Sequence, residues 1–144
     1  MRVLALDVGD RTIGVAVSDE LLISANGVTT IERTGIRKDA SKVIEYVREY
    51  KCGTVVLGLP LMLDGSDSPQ TEKVREFRTM LENKMRSEGL ADVKIDYQDE
   101  RLTTVQAERV LIDADVSRKK RKKVIDKQAA VIILQAYLER CRHE

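Results

Sequence analysis

Hydrophobic and polar residues along this chain predict strands first and strand-helix alternation afterwards. Residues 2–8 (RVLALDV) form a short apolar run closed by Asp7 and Gly9. Residues 12–19 (TIGVAVSD) repeat the pattern at once, which predicts a β-hairpin. A weaker third strand is expected around 28–31, with Asn26-Gly27 as the turn ahead of it. Three antiparallel strands therefore open the chain. From 39 to 50 the apolar positions Val43, Ile44 and Val47 recur at helical spacing, and that helix leads into an unbroken apolar run at 54–59, stopped by Pro60. Such a run is expected of a strand covered on both faces, and so parallel to the first.

Residues 68–88 predict a long charged helix whose inner stripe is Val74, Phe77, Leu81 and Met85, and 93–100 predict the next strand. Thr103 and Gln106 then have the Thr-x-x-Gln spacing of a capping box, so a helix is expected over 104–112. A block of six cations, Arg118, Lys119, Lys120, Arg121, Lys122 and Lys123, is expected as a loop before a last helix at 127–141. The order β-β-β-α-β-α-β-α-α, without repeats or a linker, describes one α/β domain over 1–144: a mixed five-stranded sheet, its first three strands antiparallel, with helices on both faces.

Charge changes this picture at one place. The 144 residues carry a formal net charge of only +1, so the cation block is a local asymmetry and points to one basic site rather than a basic coat. Two cysteines without Cys-x-x-Cys spacing predict neither a disulfide framework nor a zinc ribbon, and suit a reducing, cytoplasmic setting. No apolar stretch approaches about 18 residues and Asp7 comes too early for a signal peptide, so a soluble protein without membrane contact is expected. A single histidine argues against Ser-His-Asp chemistry and histidine-bound zinc. With one phenylalanine and four tyrosines, stacking of bases on an aromatic platform is a weaker expectation than contact with phosphates.

Three acids stand where the local pattern does not ask for one. Asp7 ends the first strand, and Glu100 follows the last; the carboxyl end of such a sheet is where ligands bind. Asp126 precedes an apolar helix and, at about 100° per residue, falls within roughly 40° of Ala130, Ile133 and Tyr137, the stripe that must face the sheet. Each has an ordinary explanation: a turn for Asp7 with Gly9, a pair with Arg101 for Glu100, and an N-cap for Asp126. Together they compete with a single one, since carboxylates brought close repel unless they share cations, and carboxylate and water ligands suit magnesium or manganese. Gly9 and Gly14 leave bare backbone beside Asp7 where a phosphate can approach, and the loop after Pro60 extends the same end of the sheet. Thr103 and Thr104 read first as caps and second as substrate contacts.

The segments "LALDVGDRTIGVAVSD", "VVLGLPLMLDGS", "DERLTTVQAE" and "RKKRKKVIDKQAAVIILQAYL" resemble, in order and spacing, the bacterial YqgF family, also called RuvX, from the first strand to the last helix. The resemblance implies a ribonuclease H-like fold, as in the resolvase RuvC, and a metal-dependent nuclease whose acids match Asp7, Glu100 and Asp126. It implies processing of the 5′ end of precursor 16S ribosomal RNA, or, by the family's older name, resolution of four-way DNA junctions. The family's first motif often reads Gly-Thr-Lys-Arg-Ile-Gly; here Asp10 and Thr12 stand in it, and Arg11 supplies the cation.

The chemistry expected is phosphodiester hydrolysis with two Mg2+ or Mn2+ ions about 4 Å apart, Asp7 bridging and Glu100 and Asp126 flanking, with Asp99 or Asp10 as a fourth acid. Gly9, Arg11, Arg101, Thr103, Thr104, Arg118 to Lys123 and Lys127 are expected to hold structured RNA, precursor 16S rRNA or branched DNA. A monomer or weak homodimer is expected. The rival readings are a non-catalytic nucleic-acid-binding assembly factor and an actin-like nucleotide binder, whose first hairpin looks similar.

Overall fold

The opening hairpin forms as expected. β1 (Arg2–Val8) and β2 (Thr12–Ser18) run antiparallel, with Asp7 opposite Gly14. The computed structural model describes residues 1–99 and 118–142, the side chains of 118–126 excepted. β3 (Ala25–Glu32) pairs antiparallel with β2, α1 (Ile36–Glu49) crosses to β4 (Cys52–Leu59), α2 (Pro69–Ser87) crosses to β5 (Lys94–Asp99), and α3 (Arg118–Arg142) closes the chain. The sheet order is β3-β2-β1-β4-β5, with β1, β4 and β5 mutually parallel.

Alternation along β1 assigns each residue to a face. Leu4, Leu6 and Val8 pack with α1 and α2, where Val43, Phe77 and Leu81 are buried; Val3 and Ala5 pack with Ala130, Ile133 and Leu134 of α3. Both faces are covered, which is why β1 and β4 read as unbroken apolar runs. Small residues dominate the second face at Ala5 and Ala16, so α3 lies close to the sheet.

α2 begins with a true capping box. Ser68 Oγ accepts from Thr71 N at 3.2 Å, and Thr71 Oγ1 accepts from Ser68 N at 2.9 Å. Both hydroxyls also donate to Pro60 O at 2.8 Å, tying the start of α2 to the end of β4.

Three expectations are corrected. The cation block is not a loop: it forms the first turns of α3, which begins at Arg118. Lysine and arginine are good helix formers, and repulsion between like charges four apart costs only about 0.2–0.5 kcal/mol per pair. Asp126 consequently lies inside a helix, where no free N–H awaits a cap, and the N-cap reading fails. Asn26-Gly27 is not a turn but part of β3, which runs from Ala25 and carries a register shift opposite Val15 and Ala16. Lys127 of α3 passes directly over it; a Cβ at Gly27 would stand 2.9 Å from Lys127 Cγ. The expected helix at 104–112 and its capping box lie outside the described residues.

Candidate active site

The carboxyl ends of β1, β4 and β5 share one edge of the sheet, and Asp7 stands there. By alternation it belongs to the α3 face, in line with Val3 and Ala5, and it is half-buried. Glycine flanks it on both sides. Gly14 pairs with it on β2, while Gly58 of β4 follows Leu57, the partner of Leu6, and so returns to the α3 face. On β5, Gln98 pairs with Gly58, completing a row Gly14, Asp7, Gly58, Gln98 across four strands. Both glycines are buried, so other groups approach the backbone closely on either side of this carboxylate.

Two long side chains from elsewhere hold the end of β1. Gln70 Nε2, in the first turn of α2, donates to Val8 O at 2.9 Å; Arg33 Nη1, just past β3, donates to Gly9 O at 2.9 Å. Arg33 is itself fixed by Asp39 of α1. Its Nε donates to Asp39 Oδ2 at 3.0 Å, Thr34 N donates to Asp39 Oδ1 at 3.0 Å, and the guanidinium lies 5.6 Å from the Phe77 ring centroid. Asp39 is fully buried, so this carboxylate depends on those partners. The turn itself closes by Gly9 N donating to Thr12 O at 2.9 Å, and Arg33 N donates to Arg11 O at 2.9 Å.

Asp7, Gly9 and Arg11 thus gather at one edge. Lys127 is exposed on the α3 face two strands away, over β3. Glu100, Arg101, Thr103 and Thr104 lie outside the described residues, as do the side chains of Arg118 to Lys123 and of Asp126. The backbone does locate position 126. It is in phase with Ala130, Ile133 and Tyr137, all buried, Ala130 and Ile133 fully. The far end of α3 is anchored at the opposite edge of the sheet, where Arg142 Nη2 donates to Leu22 O and Ile23 O. About 24 Å of helix separates Arg142 from position 126, close to the ~23 Å length of β1.

Asp10 ion-pairs with Lys73 of α2 at 2.7 Å. Asp99 alternates onto the α2 side of β5 with Tyr97, whose ring faces Arg75 and Arg78. Among the described residues no group of three or more His, Cys, Asp or Glu could hold a metal. The Asp7 row nevertheless suits a hydrated cation. Gln98 Oε1 is buried without a hydrogen-bond partner, about two strand spacings (~10 Å) from Asp7, and an oxygen in that state accepts readily from metal-bound water.

Elsewhere on this face Asp96 of β5 accepts from Tyr137 Oη at 3.1 Å and from Arg140 Nη2 at 3.2 Å. Burial raises the Asp96 carboxyl, but the Tyr97 N–H, the Tyr137 hydroxyl, Lys94 and Arg140 outweigh it and hold the group below its ordinary value. Burial, with the Asp96 charge, pushes the Tyr137 phenol well above its ordinary value. This pair fastens α3 to β5.

The sequence offered one signal for the residues missed here: a glycine inside the apolar run of β4 marks close approach of something to the backbone. Gln70 and Arg33 had none, since their partners lie 62 and 24 residues away.

A family model described as RuvX, Holliday junction resolvase, matches residues 1–140. The chain belongs to the RuvX family. That is a family of phosphodiester hydrolases, and RuvX relatives resemble this chain over nearly its whole length. A protein of Clostridium tetani is 48% identical, covering 96% of each chain, and one of Caldanaerobacter subterraneus is 51% identical with the same coverage; both are provisionally named pre-16S rRNA nucleases. Among solved structures, Thermus thermophilus RuvC bound to a Holliday junction superposes with a TM-score of 0.60 at 15% identity, covering 98% of this chain and 96% of RuvC. The fowlpox virus resolvase bound to junction DNA gives 0.60 at 13%, covering 98% and 99%. At those identities the likeness establishes the ribonuclease H-like fold shared with the resolvases. No described helix of this RuvX chain is long and apolar enough to cross a membrane.

Proposed function

We propose that this RuvX chain is a divalent-metal-dependent nuclease that cleaves phosphodiester bonds in structured RNA, with the 5′ region of precursor 16S rRNA as its substrate. One observation carries the reading: Asp7 lies between two glycines at the carboxyl edge of the sheet, on the face that α3 and position 126 share. The names of its relatives point to the substrate.

In this reading Asp7, Glu100 and Asp126 hold Mg2+ or Mn2+ through hard oxygen ligands. When bound, the cation lowers the pKa of a water and stabilises the leaving oxygen. The chain's own residues do the rest. Arg33 and Gln70 fix the strand end that carries Asp7, Gly14 and Gly58 add no side chain to the row beside it, and Gln98 Oε1 accepts from water at the end of the row. Arg11 and Lys127 contact the phosphates, and the basic turns of α3 draw the backbone of the nucleic acid in.

The test compares manganese-dependent cleavage of a precursor 16S rRNA fragment and of a four-way DNA junction by one preparation. RNA should be cut faster, and Asp7→Asn should lower the rate by at least ~10²-fold, the loss typical of removing one electrostatic group from a transition state. Equal rates for Asp7→Asn and the parent under saturating magnesium overturn the assignment, and faster cutting of the junction moves the substrate to DNA.

A further inference from the structure

Large apolar side chains exposed among the described residues gather mainly in two places. Leu21, Leu22 and Ile23 lie at the edge of the sheet away from Asp7, whereas Met62 and Leu63, 51% and 74% exposed, lie at the Asp7 edge. Single exposed apolar residues are ordinary. Two adjacent ones on a tightly built loop are not explained by chance exposure.

The loop is held from within. Met62 N donates to Ser66 O and Gly65 N to Met62 O, both at 2.8 Å, and Asp64 Oδ1 accepts from Ser66 N at 2.9 Å and from its hydroxyl at 2.6 Å. Gly65 adopts φ 87°, which a side chain would resist. Ser68 and Thr71 clamp the loop's base at Pro60 O, and Leu61 packs on the core. The tip is therefore preorganised, and little side-chain and backbone freedom remains to be lost when something covers it. Met62 begins three residues past β4, at most about 10 Å of chain from the edge where Asp7 stands. Gln70, at the start of α2, bonds the end of β1 directly.

Charge decides what the tip meets. From Leu59 to Pro69 the loop has no cation, and it carries Asp64 and Asp67. Asp67 is paired with Arg75 of α2 at 3.1 Å, so the tip offers the phosphate backbone no cation, while leucine and methionine are side chains that insert between base steps and unstack them. We infer that Met62 and Leu63 form an apolar wedge that seats against base faces beside the scissile phosphate, so that the enzyme selects an opened or unpaired step over continuous duplex. This rests on the nuclease reading above. The wedge also supplies what the chain lacks in aromatics, since its one phenylalanine, Phe77, is fully buried.

The test uses an RNA duplex with a single-stranded 5′ extension, carrying 2-aminopurine at the junction of the two, and calcium in place of magnesium. The parent chain should raise 2-aminopurine fluorescence on binding, and Met62→Ser with Leu63→Ser should abolish the rise. The apolar exchange Met62→Leu with Leu63→Met should restore it. With manganese, the ratio of kcat/KM on the junction substrate to that on continuous duplex should fall at least ~10-fold in the serine variant. An unchanged rise or ratio in that variant overturns the wedge, and leaves the tip as a protein-docking surface. If the parent unstacks the base but never cuts, the nuclease reading falls and the wedge stands; if it binds no nucleic acid, both fall.

Discussion

Removing Arg33 tests how the end of β1 is held. In Arg33→Met the aliphatic stem survives, but Asp39, fully buried, loses the 3.0 Å contact that balances its charge. Stranding a buried charge in this way costs about 3 kcal/mol or more, and losing the bond to Gly9 O adds about 1 kcal/mol. Unfolding a 144-residue domain releases about 0.3 kcal/mol/K of entropy, so a loss of about 4 kcal/mol lowers Tm by roughly 13 °C. The opposite deletion is milder. Asp39→Asn keeps an oxygen for Thr34 N, and the stranded Arg33 side chain is 18% exposed and can retain water, so about 1–2 kcal/mol is expected. The double variant should recover part of the loss, because no unpaired carboxylate remains. Urea titration of the four proteins gives the cycle directly. A cost below about 1 kcal/mol for Arg33→Met, or a larger cost for Asp39→Asn, refutes the view that Arg33 neutralises a buried acid.

Replacing Lys119, Lys120, Lys122 and Lys123 by Gln should weaken binding to any RNA sequence and flatten the dependence of log Kd on log salt by about 3, checked by fluorescence anisotropy at several salt concentrations. Ser68→Ala removes the α2 cap and one donor to Pro60 O, and should cost about 1–2 kcal/mol in urea denaturation. The Asp96–Tyr137 pair gives stability a pH window with two sides. The Asp96 carboxyl is held below its unfolded value, so its contribution is present at neutral pH and lost as pH falls through the folded value; the Tyr137 phenol is raised, so its contribution is present below about pH 10 and lost as pH rises further. Asp96→Asn should flatten the acid limb of Tm against pH and Tyr137→Phe the alkaline limb; limbs unchanged from the parent would show that the pair does not link stability to pH.

What was legible in the sequence is what alternation and spacing encode locally. The run VLALDV has one side for α1 and α2 and one for α3, and the same count that buries Leu4 and Leu6 puts Asp7 on the α3 face. Val74, Phe77, Leu81 and Met85 were a stripe on paper and are buried in fact. The misreading of Asn26-Gly27 has a different cause: a partner far along the chain overrode a local preference. Asn26-Gly27 has the composition of a turn, but α3, a hundred residues on, needs a glycine under the Lys127 stem, and the segment is drawn into β3. Asp39 stands near the start of α1, and nothing local in the sequence shows that it is buried against Arg33. For Glu100 and the side chain of Asp126 the inference still rests on sequence and family, and their part in the site belongs to the proposal.

The helical cation block is tied through α3 to the sheet. A basic loop would bind phosphate with freedom to lose and no mechanical tie to the chemistry. In α3 the same residues form the first turns of a helix whose later turns lie against the sheet at Ala130, Ile133 and Tyr137. Six cations in the first turns of a helix, with no acid in its first turn, oppose the helix dipole by a few tenths of a kcal/mol each. A bound phosphate backbone would offset this cost and so stabilise the turns between Arg118 and position 126. Substrate binding and the seating of Asp126 would then be a single event, and the Gln substitutions should lower kcat as well as affinity, which a freely hinged basic loop would not produce.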